Sequence, residues 1–173
     1  MDIVQNSVSA GAGEIGIWLT EDTKANTLLL TVTDNGCGMT EEVLSRVTDP
    51  YYTTRTTRKV GLGIPLFKQN AEQTGGWLHI ESEPGKGTSL KAMFVHDHLD
   101  RPALGDMAGV ISLLISANEK IRFRYIHKKD GGLFELDTRE INEILDGVPV
   151  SEPGVARFLR EMIRENLTEI HAI

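Results

Sequence analysis

The chain has a single cysteine, Cys37, so no internal disulfide can form, and the composition fits a reducing compartment. Long hydrophobic runs are missing too. The longest, at 28–30 and 110–115, fall far short of the ~20 apolar residues that span a bilayer. No basic-then-apolar segment opens the chain. We read it as cytoplasmic, with no membrane span. Positive charge is scarce: 18 Lys and Arg against 25 Asp and Glu leave a net charge of −7 over 173 residues. That argues against nucleic acid or an anionic membrane as a partner. Repeats and low-complexity tracts are also absent. What remains is 40% hydrophobic, ordinary for a globular protein with a core of its own.

The charge is uneven. Residues 51–72 carry Arg55, Arg58, Lys59 and Lys68 against Glu72 alone, a net +3 inside an acidic protein. An island of that kind suits a small anionic ligand better than a polyanion.

Periodicity lays out the elements. Ile3, Val4, Ser7 and Val8 recur at helical spacing, so 2–10 reads as a helix, and the chain begins inside it. Residues 14–19 alternate as a strand, 21–26 read as a polar turn, and the run "TLLLTVTD" reads as a strand covered on both faces or nearly so. Thr40 followed by Glu41 and Glu42 marks a helix start, with that helix ending near Val47. Pro65 suits the first turn of a helix that ends at the glycines 75 and 76. Strands at 77–82 and 90–95 flank the turn "EPGKGTS". Beyond "HDHLDRP" come a helix at 106–117, a hairpin of 121–127 and 133–136, and helices at 138–145 and 153–167. We draw domains at 1–95 and 96–173. Hairpins separated by helices predict an α+β, two-layer α/β sandwich. Its sheet is mixed and mostly antiparallel, its helices lie on one face, and a C-terminal helix–hairpin–helix appendage follows.

Four short motifs carry the chemistry. "DNGCGM", Asp34 to Met39, is either a strand-ending turn or a place where Gly36 and Gly38 admit a flat ligand, with Asp34 accepting from an exocyclic amine. "RKVGLGIP" is neither a P-loop, since no GK[ST] follows, nor a dinucleotide fingerprint, since the third glycine is missing. Its helix-start amides still suit an anion, with Arg55 and Lys59 adding charge. Asp2 and Asn6 stand at i and i+4 on one helix face, where an amide oxygen could hold Mg²⁺ and a carboxylate could orient a water. "PGKGTS" reads as a hairpin turn.

In this order, over residues 2 to about 95, the motifs resemble the GHKL superfamily of gyrases, heat-shock chaperones, histidine kinases and mismatch-repair ATPases. "DPYYTTR", "GLGI" and "GGWLHIESEPGKGTSLKAMF" look most like the catalytic ATP-binding domain of bacterial sensor histidine kinases. The resemblance implies the Bergerat ATP-binding fold with ATP and Mg²⁺ as ligands. By it, Asn6 would chelate Mg²⁺, Asp34 would bind the adenine amino group, and Gly36, Gly38 and Met39 would frame the adenine. Gly61, Leu62 and Gly63 would sit by the phosphates at the base of an ATP lid. Thr88 would support the adenine side through water. Arg55 stands where a lysine is usual, and Asp2 where hydrolysing members carry a glutamate base. Lys59 replaces a frequent third glycine. No helix pair with a phosphoacceptor histidine is found, and "HDH" at 96–98 reads as a solvated linker. Residues 100–140 resemble the tail of small stand-alone bacterial ATP-binding proteins, some encoded near iron hydrogenases. The expectation is a protein kinase acting in trans on a partner that supplies the phosphoacceptor, in the manner of a detached histidine kinase or an anti-sigma kinase. The alternatives are an ATP-gated interaction module and a slow ATPase with Asp2 as base. A homodimer is left open.

Overall fold

The computed structural model describes residues 1–49 and 63–172. The elements in chain order are α1 (Asp2–Ser9), β1 (Glu14–Asp22), β2 (Thr27–Asp34), α2 (Glu41–Arg46), α3 (Gly63–Gln73), β3 (Trp77–Glu83) and β4 (Gly87–Val95). The C-terminal part adds α4 (Met107–Ala117), β5 (Arg122–Lys129), β6 (Gly132–Asp137), α5 (Thr138–Leu145) and α6 (Pro153–Glu169).

The strands form one six-stranded sheet in the order β3-β4-β2-β1-β5-β6. Every neighbouring pair is antiparallel except β1 and β5, which run parallel. This is an α+β sandwich with a mixed, mostly antiparallel sheet, as the hairpin pattern predicts. The helix–hairpin–helix extension is present, and its hairpin lengthens the same sheet.

Alternation builds the core on one face. Ile15, Ile17 and Leu19 of β1 are all buried. Ile15 and Ile17 join Phe123 and Tyr125 of β5, the α4 residues Ala108, Ile111 and Ile115, and Leu159, Ile163 and Leu167 of α6 in one cluster, while Leu19 belongs to the second. A second cluster joins Leu28, Leu90, Ala92 and Phe94 to Ala71 of α3, where Phe67 meets Phe94 edge to face at 5.3 Å. The other face is thinner. β2 is nearly covered on both faces: Leu28 and Val32 are buried and its other residues, Leu29 and Thr31 among them, are half-buried.

Two strands run longer than their sequences predict. β1 continues through Glu21 to Asp22, so the turn is confined to 23–26. Glu21 points to the helix side and is 3% exposed. Its Oε1 lies 2.8 Å from His127 Nε2, its Oε2 lies 2.9 Å from His96 Nε2, and Lys129 Nζ stands 3.8 Å away. Burial alone would raise the Glu21 pKa. The hydrogen bonds from His127 and His96 and the Lys129 charge outweigh it and hold the carboxyl below its ordinary value. A glutamate can therefore sit in the ladder because its partners come from 96, 127 and 129. His96 is accordingly bonded to a buried carboxylate and is not a solvated linker residue. β4 begins at Gly87, where the chain already pairs with Glu83, so Thr88 and Ser89 belong to the strand and not to the turn.

Candidate functional site

The last residue of β2 is the centre of the site. Asp34 pairs across one ladder with Ile15 and across the other with Thr88, so the Asp34 and Thr88 side chains share the helix-side face of the sheet. Both carboxylate oxygens have fixed donors. Ser7 of α1 donates its hydroxyl to Oδ2 at 2.6 Å, and the Gly36 amide donates to Oδ1 at 2.9 Å. Ser7 is 4% exposed, so its hydroxyl has no recourse to water.

The loop after β2 is clamped from two sides. Asn35 Oδ1 accepts from the amides of Gly13 and Glu14, each at 2.8 Å. The Cys37 amide donates to the Ala10 carbonyl at 2.9 Å, and the Gly85 amide donates to the Cys37 carbonyl at 2.8 Å. Glycine is needed where the loop crowds these neighbours. A Cβ at Gly36 would stand 2.8 Å from Ala10 Cβ, and one at Gly38, where φ is +66°, would stand 2.0 Å from the Glu83 carbonyl oxygen. Both glycines therefore already answer to contacts within the protein. Met39 closes the loop by donating its amide to Ser82 Oγ at 2.9 Å.

At the other end, α1 meets α3. A Cβ on Gly63 would lie 3.2 Å from Asp2 Cβ, so the starts of the two helices abut. Asp2 is exposed and Asn6, one turn on, is half-buried. Among the described residues no group of three or more His, Cys, Asp or Glu could hold a metal ion. A single oxygen donor such as the Asn6 amide still fits Mg²⁺, which is commonly held by one or two protein oxygens together with substrate phosphates. Arg55, Lys59, Gly61 and Leu62 lie outside the described residues.

The structure thus brings Asp34, Gly36, Gly38, Met39 and Thr88 together around the end of β2, and Asp2 and Gly63 together where α1 meets α3, with Asn6 one turn along α1 from Asp2. Two residues were missed by sequence reading, Ser7 and Ser82. The signal was there in both. Ser7 lies on the apolar face of α1 with Ile3, Val4 and Val8, and Ser82 follows Leu78 and Ile80 at inward positions of β3. A hydroxyl on a buried face must find a partner.

Comparison with known proteins shows the family of this chain. Residues 1–98 match the model of the family described as histidine kinase-, DNA gyrase B-, and HSP90-like ATPase. Sporulation kinase A of Bacillus subtilis is 33% identical over 96 residues, covering 54% of this chain and 15% of that protein. Sensor protein kinase FleS of Pseudomonas aeruginosa is 36% identical over 89 residues, covering 51% of this chain and 22% of that protein. The chain therefore spans a small part of the length of these relatives. Among solved structures, the N-terminal domain of a DNA repair protein superposes with a TM-score of 0.53 at 16% identity, covering 79% of this chain and 49% of that one. That likeness is one of fold.

Proposed function

Because the chain belongs to the histidine kinase-, DNA gyrase B-, and HSP90-like ATPase family, we propose that its cleft binds Mg-ATP and delivers the γ-phosphoryl group to a partner protein. The adenine would sit against Asp34, framed by Gly36, Gly38 and Met39, with Thr88 alongside. The triphosphate would run toward Gly63 and the start of α3, past Gly61 and Leu62, with Arg55 and Lys59 adding positive charge. Asn6 would hold Mg²⁺, which supplies charge neutralisation to the phosphates when bound.

The observation that carries this reading is the state of Asp34. It is an acceptor whose two oxygens are already oriented by Ser7 and Gly36, and it opens beside Thr88 within the segment that the family model covers. All five histidines of this sequence (His79, His96, His98, His127 and His171) lie outside helices. No helix among the described residues is long and apolar enough to cross a membrane.

Binding is tested by thermal unfolding with Mg-ATP. A ligand at one hundred times its Kd stabilises the native state by about 2.7 kcal/mol, a rise of roughly 5–10 °C for a chain of this size. Asp34→Asn should abolish the rise, because an amide turns a donor toward either Ser7 or Gly36 and no longer accepts on both sides. An unchanged rise in that variant would remove Asp34 from the site. Transfer is tested by incubating the protein with radiolabelled ATP and cell extract. Intact ATP binding with no labelled protein counts against the kinase and favours an ATP-gated interaction module.

A further inference from the structure

Among the described residues, Trp18, Leu29, Ile126, Met93, Trp77 and Leu133 belong to neither cluster through which α1, α3, α4, α5 and α6 pack on the strands. Alternation along each strand puts all six on the opposite face of the sheet. Strand register lines four of them up. Leu133 pairs with Lys128, Lys128 with Thr20, Thr20 with Leu29, Leu29 with Met93, and Met93 with Trp77. One row therefore crosses all six strands, with Leu133 on β6 at one margin and Trp77 on β3 at the other. These two side chains are 56% and 44% exposed. An apolar row of this kind is what a second sheet covers in a sandwich.

We propose that two copies of the chain associate through this face, about a two-fold axis parallel to the strands that passes between β1 and β2. A two-fold interface must be complementary to itself, and this row is. The rotation lays β3 of one copy over β6 of the other, so Trp77 covers Leu133 at both margins. Met93 then meets the aliphatic stem of Lys128. In the next row β3 and β4 carry His79 and Lys91, and β6 carries Glu135. Glu135 of each copy falls over His79 and beside Lys91 of the other. One row further, Glu81 meets Asp137, whose charge is already taken up by Arg122 at 2.6 Å and Arg124 at 3.8 Å. An axis along the rows would instead set Lys128 over Arg124 and Trp77 over Glu81, so the side chains select the first arrangement. Six strands at ~4.8 Å and three rows at ~6.7 Å give a face of roughly 600 Å². Two copies would bury about 1,200 Å² in total, at the lower end of what specific interfaces bury. Asp34 and Thr88 lie on the helix side of the sheet, so the inference does not rest on the Mg-ATP reading.

The test is sedimentation equilibrium of the full chain over a concentration series. The wild type should pass from monomer to dimer. Trp77→Lys and Leu133→Glu, both at exposed positions, should each raise the dimer dissociation constant by at least about tenfold. An equimolar mixture of the two variants should dimerise again. In the mixed pair one margin sets Lys against Glu and the other keeps Trp77 on Leu133, and a fold defect could not be rescued in this way. Phe158→Glu, on α6 and 67% exposed, should leave the equilibrium unchanged. A wild type that stays monomeric up to about 1 mM overturns the proposal and leaves the face to a different partner. That arm needs no variant to fold. Single variants that dimerise like the wild type, or a mixture that stays monomeric, overturn the pairing of Trp77 with Leu133. Loss of the dimer in Phe158→Glu moves the contact to α6 and overturns it as well.

Discussion

Glu21→Gln is the most direct probe of how the two parts of the chain are joined. The carboxyl is 3% exposed and takes one donor on each oxygen, His127 on Oε1 and His96 on Oε2. Held below its ordinary pKa, it is ionised and can only accept. Burial, and then the nearby Glu21 charge, raise the pKa of the Tyr125 hydroxyl, which keeps its proton and donates to His127 Nδ1 at 2.8 Å. The order is therefore Tyr125 to His127 to Glu21. Glutamine keeps the shape but offers one acceptor and one NH₂ group, so one imidazole N–H loses its partner. A hydrogen bond to a charged group is worth about 1.5–3 kcal/mol, and the variant should lose about 2–3 kcal/mol at neutral pH. That corresponds to roughly 5–10 °C in Tm.

The sign of the pH dependence separates charge from shape. A carboxyl whose folded pKa is depressed contributes stability above its unfolded pKa, and that contribution is lost as pH falls through the folded value. With an ordinary value of 4.5 for Glu21, the deficit of the glutamine variant should be full at neutral pH. It should begin to shrink below that value and become small once wild-type Glu21 is protonated. Urea unfolding of both proteins, followed through Trp18 and Trp77 fluorescence across a pH series, measures the difference directly. A deficit that stays constant down to the acid limb would refute the charge-based account, and a deficit under about 0.5 kcal/mol would refute the network altogether.

Two further outcomes follow from the site. Gly38→Ala forces a side chain into the left-handed region and onto the Glu83 carbonyl, so it should lose at least about 2 kcal/mol in urea melts and most of the ATP-induced thermal shift. Asp2→Ala, at an exposed position, should leave that thermal shift intact while lowering any slow ATP turnover measured by phosphate release. Unchanged turnover would remove Asp2 as a base.

Local features were legible in the sequence because local rules govern them. Thr40 caps α2 through the Val43 amide, as its hydroxyl and the following acids predict. The β1–β2 hairpin, the Asp34 motif and the pairing of Asp2 with Asn6 on one helix face come from spacings of a few residues. What could not be read was set by partners far along the chain. Glu21 looks like a turn residue until His127, 106 positions later, supplies its counterpart. The parallel pairing of β1 with β5 joins Glu14 to Arg122, and nothing in either strand announces it. Ser7 and Ser82 were visible as hydroxyls on buried faces, but their partners, Asp34 and the Met39–Thr88 pair, become apparent only once the strands are in register.

That long-range pairing bears on the site itself. α1 carries Asp2, Asn6 and Ser7, and its buried face rests through Val4 on the cluster of Ile15, Ile17, Ile111, Phe123, Tyr125 and Ile163. Most of that cluster lies beyond residue 98, where the family model ends. α1 and the C-terminal residues thus share one core cluster. Glu21, at the far end of β1 from the Ile15–Asp34 pair, ties the same strand to His96 and to β5. A shift of β5 against β1 would be felt at α1 through the cluster and in β1 through Glu21. The extension is in this way mechanically continuous with the strand that ends beside Asp34.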